Sequence, residues 1–174
     1  MLKKLYSKQD IAKTVKNLAK EIEKDFGEEE IIFVCLLKGS FMFTADLVRN
    51  VKNPSKIDFM RVSSYGSAMK TNGTVKVLKD LEEDVEGKNV IIVEDIIDSG
   101  LTLTHIREIL GKRSPKSLKI CALLDKRARR EVEIEGDYVG FTIDDGFVVG
   151  YGIDYAENYR NCPDICVVVE EEEE

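Results

Sequence analysis

The sequence predicts an α/β fold, a mostly parallel central sheet flanked by helices. Three observations lead there. Apolar runs rich in β-branched residues occur at 31–37, 89–93 and 118–124, and strands look like this when both faces of their sheet are covered. Segments with helical spacing of apolar residues stand between or before them, at 7–26, 41–51 and beyond Gly100. Strands alternating with helices imply right-handed crossovers and hence parallel pairing.

Residues 7–26 read as an amphipathic helix, since Ile11, Val15, Leu18 and Ile22 recur on one face. Ser7 suits the cap of its first turn, and Gly27 stands where a left-handed residue ends a helix. The first buried strand, 31–37, is followed by the turn Lys38-Gly39-Ser40 and a second helix over 41–51. Residues 57–62 alternate apolar and polar, as a strand does. Residues 63–74 are small, polar and glycine-bearing, and loops of about a dozen residues in a compact domain often act as lids. Alternation returns over 75–78, as half of a flexible hairpin. The second buried strand delivers Glu94 and Asp95 to its carboxyl end. Asp98-Ser99-Gly100 turns into a helix with Leu103, Ile106, Ile109 and Leu110 on one side. After the third buried strand come shorter strands near 138–143, 147–151 and 165–169. No internal repeat is present.

The chain has 174 residues, 43% hydrophobic and 34% charged, an ordinary globular composition. Residues 1–169 are expected to form one domain, and the glutamates at 170–174 a solvated, disordered tail. The net charge of −7 argues against wrapping a nucleic acid, which calls for a basic stripe. No run of about 18 apolar residues exists to span a bilayer, and the amino end has no apolar stretch of the secretory kind. Cys35 and Cys121 sit inside apolar runs, and Cys162 and Cys166 lack the further ligands of a zinc site. Four reduced thiols in a cytoplasmic protein are the expectation. The single histidine, His105, disfavours most metal-hydrolase and Ser/His/Asp chemistries and is expected on a helix surface.

The segment richest in chemistry is VIIVEDIIDSGLTL, residues 90–103. It places two carboxylates at a strand end, where open α/β sheets bind ligands. The small residues at 98–102 then let the backbone curl around an anion at a helix start, where amides and the helix dipole favour phosphate. Ser99 and Thr102 add hydroxyl donors. There is no G-x-x-x-x-G-K-[ST], and the only G-x-G, Gly150-Tyr151-Gly152, has tyrosine at 155, so neither a Walker loop nor a dinucleotide fingerprint is present.

This run resembles the phosphoribosyl pyrophosphate (PRPP) motif of type I phosphoribosyltransferases, and within them the hypoxanthine-guanine phosphoribosyltransferases. Four further segments carry the closer likeness, over about residues 5–169: Leu37-Lys38-Gly39-Ser40, Ser63-Ser64-Tyr65-Gly66, the stretch LDKRARR at 124–130, and FVVGYGIDY at 147–155 with Arg160. The resemblance implies a small base-binding hood built from the amino- and carboxyl-terminal segments. It implies that Glu94 and Asp95 address the ribose hydroxyls and the Mg²⁺ shell. Asp98, Ser99, Gly100, Leu101 and Thr102 would cradle the 5′-phosphate. Lys38 and Gly39 would hold pyrophosphate on a loop that in the family often contains a non-proline cis peptide, helped by Arg160 and by Arg130 or Arg129. Ser64 and Tyr65 would close the lid. Lys126 would donate to the purine O6, Phe147 would stack on the ring, and Ile96 and Ile153 would wall it. The Val148 backbone would read the base edge, and Asp154 would bind a second Mg²⁺. Two departures from the family stand out: Arg127 where bacterial relatives commonly have proline, and Asp144-Asp145-Gly146 in place of Pro-Asp-Lys.

The implied activity is purine salvage: transfer of the phosphoribosyl group from PRPP to N9 of a 6-oxopurine, giving a purine nucleoside monophosphate and pyrophosphate. Asp98 is the candidate base or acid at purine N7, and Mg²⁺ the implied cofactor. A homodimer or homotetramer is implied, with 41–51 as one contact helix, and neither nucleic acid nor membrane as partner. Two alternatives stay open at this point. One is a regulator of the same fold that senses PRPP or nucleotides; the other is a phosphoribosyltransferase preferring xanthine.

Overall fold

The computed structural model describes residues 1–64 and 75–169. The expected acidic tail and most of the expected lid lie outside them. The chain forms β1 (Leu2–Tyr6), α1 (Lys8–Phe26), β2 (Ile31–Leu36), α2 (Phe41–Asn50), β3 (Ser55–Ser64) and β4 (Val75–Lys79). It continues through β5 (Asn89–Ile97), α3 (Leu101–Gly111), β6 (Ser117–Lys126), a 3₁₀ turn (Arg127–Arg129), β7 (Tyr138–Ile143), β8 (Phe147–Val149) and β9 (Ile165–Val168).

The main sheet has strand order β4-β3-β2-β5-β6-β7. All its pairings are parallel except β3 with β4, so the mostly parallel sheet is as expected. Every residue of β2 is buried, and its side chains alternate between two cores. Ile31 and Phe33 join the cluster under α1 and α2, while Ile32, Val34 and Leu36 join the cluster under α3. Burial on both faces explains why this strand is apolar without interruption.

Local signals place the helices. Ser7 and Asp10 form a reciprocal capping box, and α1 buries Ile11, Val15, Leu18, Ala19, Ile22 and Phe26. Gly27 ends α1 at φ 58°, ψ −117°, positive in φ as expected but away from the left-handed helical region. Two strands run further than the sequence suggests. β3 includes Ser63 and Ser64, which pair with Lys76 and Val75, so the lid begins later than residue 63. β5 continues through Glu94 and Asp95 to Ile97, because Ile96 and Ile97 still pair with Leu124 and Asp125 of β6.

A second, antiparallel sheet has the order β1-β9-β8. Its strand β1 was not anticipated. The segment LKKLY is mostly exposed and becomes a strand by pairing with β9, Leu2 opposite Val168. The small sheet packs on the main body through Val148 and Ile165 of the first core and through the stacked rings of Tyr6 and Phe141, 3.8 Å apart. All four cysteines are free, and His105 lies part-exposed on α3, 3.8 Å from Glu108.

Candidate active site

The chain leaves β2 toward β3 on one side of the sheet and later returns to β5 on the other. The carboxyl ends of β2 and β5 therefore flank the topological switch point, where open parallel sheets leave a crevice. Three sequence motifs meet there. The Asp95 carboxylate fills the space that a Cβ on Gly39 would need, and a Cβ on Gly152 would stand 2.6 Å from the Gly39 carbonyl oxygen. Glycine at 39 and 152 is thus required for close approach, and Gly152 also has φ 95°. The Leu37–Lys38 peptide is cis, as the resemblance implies for this loop.

Beyond β5 the backbone bends through Asp98 and Ser99 into α3. Gly100, at φ 83°, occupies the cap position, and no side chain caps the helix. The Leu101 N–H reaches Ser99 Oγ at 3.3 Å. Uncapped amides and the helix dipole suit this bend to anionic oxygens. Ser99 and Thr102 are half-buried beside it and Leu101 is exposed. Asp98 Oδ1 is buried without a hydrogen-bond partner.

Glu94 and Asp95 are half-buried. Glu94 Oε1 accepts from the Asp95 N–H at 2.9 Å, and Asp95 Oδ1 accepts from the Ile96 N–H at 2.7 Å. Burial first, and the Asp95 carboxylate second, push the Glu94 carboxyl well above its ordinary range. A cation would relieve that pairing. Among the described residues no group of three or more His, Cys, Asp or Glu side chains gathers into a metal cage. Two adjacent carboxylates fit Mg²⁺, which binds through one or two of them and completes its shell with water and phosphate oxygens.

The register between β5 and β6 pairs Ile97 with Asp125. Asp98 and Lys126 are the residues that follow this pair: Asp98 opens the bend after β5, and Lys126 closes β6, where it pairs with Ile143 of β7. Lys126 is 5% exposed, and its charge, after the Gly146 N–H and Arg129, helps hold the Asp145 carboxyl below its ordinary range. Phe147 is 52% exposed and meets Tyr155 edge-on, ring centroids 5.3 Å apart. Val148 and Ile153 belong to the first core, and Ile96 packs against it. An ion pair of 3.3 Å between Arg129 and Asp145 ties the 3₁₀ turn after Lys126 to the turn before Phe147.

Arg130 points inward. Its Nε donates to the Asp98 carbonyl at 3.1 Å, Nη1 to the Ile134 carbonyl and Nη2 to Asp125. The adjacent Glu131 N–H donates to the Ser99 carbonyl at 2.9 Å. Arg130 therefore braces the bend, and Arg129 is the exposed arginine of the pair. On the opposite rim, Arg160 donates to the Gly152 carbonyl at 2.8 Å and lies 3.2 Å from both Asp154 and Glu157. Glu157 also pairs with Lys38 at 3.1 Å, and Arg160 Nε is buried without a partner. Ser64 ends β3 opposite Val75, its side chain lying outside the described set, and Tyr65 lies outside the described residues.

Sequence reading passed over Asp125, Gly152 and Glu157. Asp125 is fully buried and held by both Arg127 and Arg130; its place as the last apolar-strand neighbour before Lys126 was the available hint. Nothing in the local sequence marks Glu157.

A family model for the phosphoribosyl transferase domain matches residues 1–156. The chain is 62% identical over 146 residues to the hypoxanthine phosphoribosyltransferase of Salmonella typhimurium, covering 84% of this chain and 82% of that one. It is 50% identical over 168 residues to the hypoxanthine-guanine phosphoribosyltransferase of Aquifex aeolicus, covering 96% and 94%. Its structure is similar to a crystal structure of a hypoxanthine-guanine phosphoribosyltransferase from Bacillus anthracis, with TM-score 0.94 and 53% identity, covering 97% of this chain and all of the other.

Proposed function

The chain belongs to the phosphoribosyltransferase family, among the hypoxanthine-guanine phosphoribosyltransferases, and on that premise we propose how it works in purine salvage. It transfers the 5-phosphoribosyl group of PRPP to N9 of hypoxanthine, and of guanine, releasing pyrophosphate. One observation carries the reading: Asp98 and Lys126 directly follow the last residue pair between the adjacent strands β5 and β6, the first with a buried oxygen that lacks a hydrogen-bond partner and the second a buried lysine. The N7 and O6 atoms of a 6-oxopurine lie on one edge of the base. A proton acceptor beside a cation donor is the complement of that edge when N7 carries a proton.

In this mechanism N9 attacks the anomeric carbon of PRPP as the bond to pyrophosphate breaks, and Asp98 takes the proton from N7. Lys126 donates to O6, which favours 6-oxo over 6-amino purines because an unpaired polar group in a dry pocket is costly. Phe147 stacks on the ring, with Ile96 and Ile153 as apolar walls and the Val148 backbone at the base edge. The backbone amides and hydroxyls at 98–102 hold the 5′-phosphate. Glu94 and Asp95 orient the ribose hydroxyls, and Asp154 is assigned to a second cation. Mg²⁺, bound with PRPP, supplies charge neutralisation to the departing pyrophosphate. Lys38, Gly39 and Arg160 meet the pyrophosphate, and Arg130 acts by bracing the bend. Ser64 and Tyr65 are assigned to closing the site against water.

We read residues 1–169 as one domain whose antiparallel sheet forms the hood over the base. A homodimer or homotetramer is supported by exposed apolar side chains at Phe41, Ile57 and Phe59. Free thiols at all four cysteines support a cytoplasmic location. The names of the relatives favour neither a sensing regulator nor a xanthine enzyme. Purified protein with hypoxanthine, PRPP and Mg²⁺ is expected to yield the nucleoside monophosphate and one equivalent of pyrophosphate. Unchanged hypoxanthine would end the reading.

A further inference from the structure

The two cations assigned above to pyrophosphate already share an anion. Glu157 spends both carboxylate oxygens on them, Oε2 on Lys38 at 3.1 Å and Oε1 on Arg160 at 3.2 Å. Its backbone is held for the task. Glu157 adopts φ 67°, uncommon for a residue with a side chain, while its N–H donates to Asp154 at 2.8 Å and Tyr155 and Asn158 pair across the turn. The side chain is nonetheless 64% exposed, and exposed ion pairs are weak and exchangeable.

We propose that Glu157 is a built-in counter-anion that occupies the pyrophosphate-binding cations and is displaced when pyrophosphate, free or as part of PRPP, arrives. This rests on the assignment of Lys38 and Arg160 to pyrophosphate. The chemistry follows from charge. With Glu157 in place, Lys38 and Arg160 stay aligned toward one point without an incoming ligand, so less side-chain freedom is lost on binding. The cost is competition, because each pair with Glu157 must loosen before a phosphate oxygen takes its place. The residue therefore trades affinity for alignment and for easier release of the product pyrophosphate.

The test is calorimetric titration of Mg²⁺-pyrophosphate into the full chain and into Glu157→Gln and Glu157→Asp. Glutamine keeps the shape and removes the charge, and is expected to bind pyrophosphate about threefold to tenfold more tightly at low salt. That gain should shrink as salt screens the pairs. Aspartate keeps the charge but is one methylene too short to span both cations, and is also expected to bind more tightly than the unmutated chain. Equal or weaker binding by the glutamine variant overturns the inference. So does tighter binding by glutamine with aspartate unchanged, since charge at a distance then suffices. If the unmutated chain does not bind pyrophosphate at all, the assignment of Lys38 and Arg160 falls, and this inference with it.

Discussion

The two rims of the crevice are built differently. On one, Asp98 follows β5 and Lys126 closes the adjacent β6, and the bend from β5 into α3 is braced by Arg130, the fully buried Asp125 and the Glu131–Ser99 bond. On the other, residues 154–160 turn through positive φ at Ala156, Glu157 and Tyr159 and hold their charges by part-exposed ion pairs. On the function proposed above, base and monoester would be met by groups whose positions the sheet sets in advance, as preorganised catalysis requires. Pyrophosphate, which must bind and then leave, would on the same reading be met by groups held in part-exposed, exchangeable ion pairs.

The largest effect expected from breaking the rigid rim is at its reacting atom. Asp98→Asn should lower kcat by about 10²–10⁴-fold while PRPP still binds, read from steady-state rates beside a PRPP titration. Near-normal turnover would remove Asp98 from the chemistry. Next is the brace. Arg130→Ala leaves a buried carboxylate with Arg127 alone, and should cost about 3 kcal/mol of stability in chemical unfolding together with affinity for PRPP. A loss confined to pyrophosphate affinity, with stability intact, would instead show that Arg130 contacts the ligand. Lys126→Ala should erode the preference for hypoxanthine over adenine by about tenfold to a hundredfold, measured as the ratio of kcat/KM values. An unchanged ratio would take the base edge away from Lys126.

The smallest effect belongs to neither rim and serves as their reference. Two hydrogen bonds of 2.8 and 2.7 Å from Arg113 to Asp80 hold the Asp80 carboxyl below its ordinary value, first through the bonds themselves, against a smaller opposing effect of burial. A folded-state pKa lowered in this way adds stability that is present above the unfolded value, near pH 4. It is lost as pH falls through the lower folded value. Melting temperature should therefore decline with acidification, slightly less steeply in Asp80→Asn. An identical slope would assign the acid sensitivity elsewhere.

Much of this was legible in the chain. Alternating buried runs and helical stripes determined the parallel sheet, because side-chain periodicity reports which faces are covered. Ser7 marked the start of α1, and the run at 90–103 marked a tight bend into α3, because caps and bends are made by residues close in sequence. What tertiary structure alone decided depends on neighbours far apart along the chain. LKKLY is a strand only because β9 lies beside it. Asp98 and Lys126 follow the same residue pair, Ile97 with Asp125, because the β5–β6 register sets it so. Arg130 turns inward because Asp125 is buried and needs a counter-charge, and Glu157 finds Lys38 across 119 residues of sequence. Local pattern records burial and turning; pairing between distant charges is settled only when the packed sheet brings them within reach.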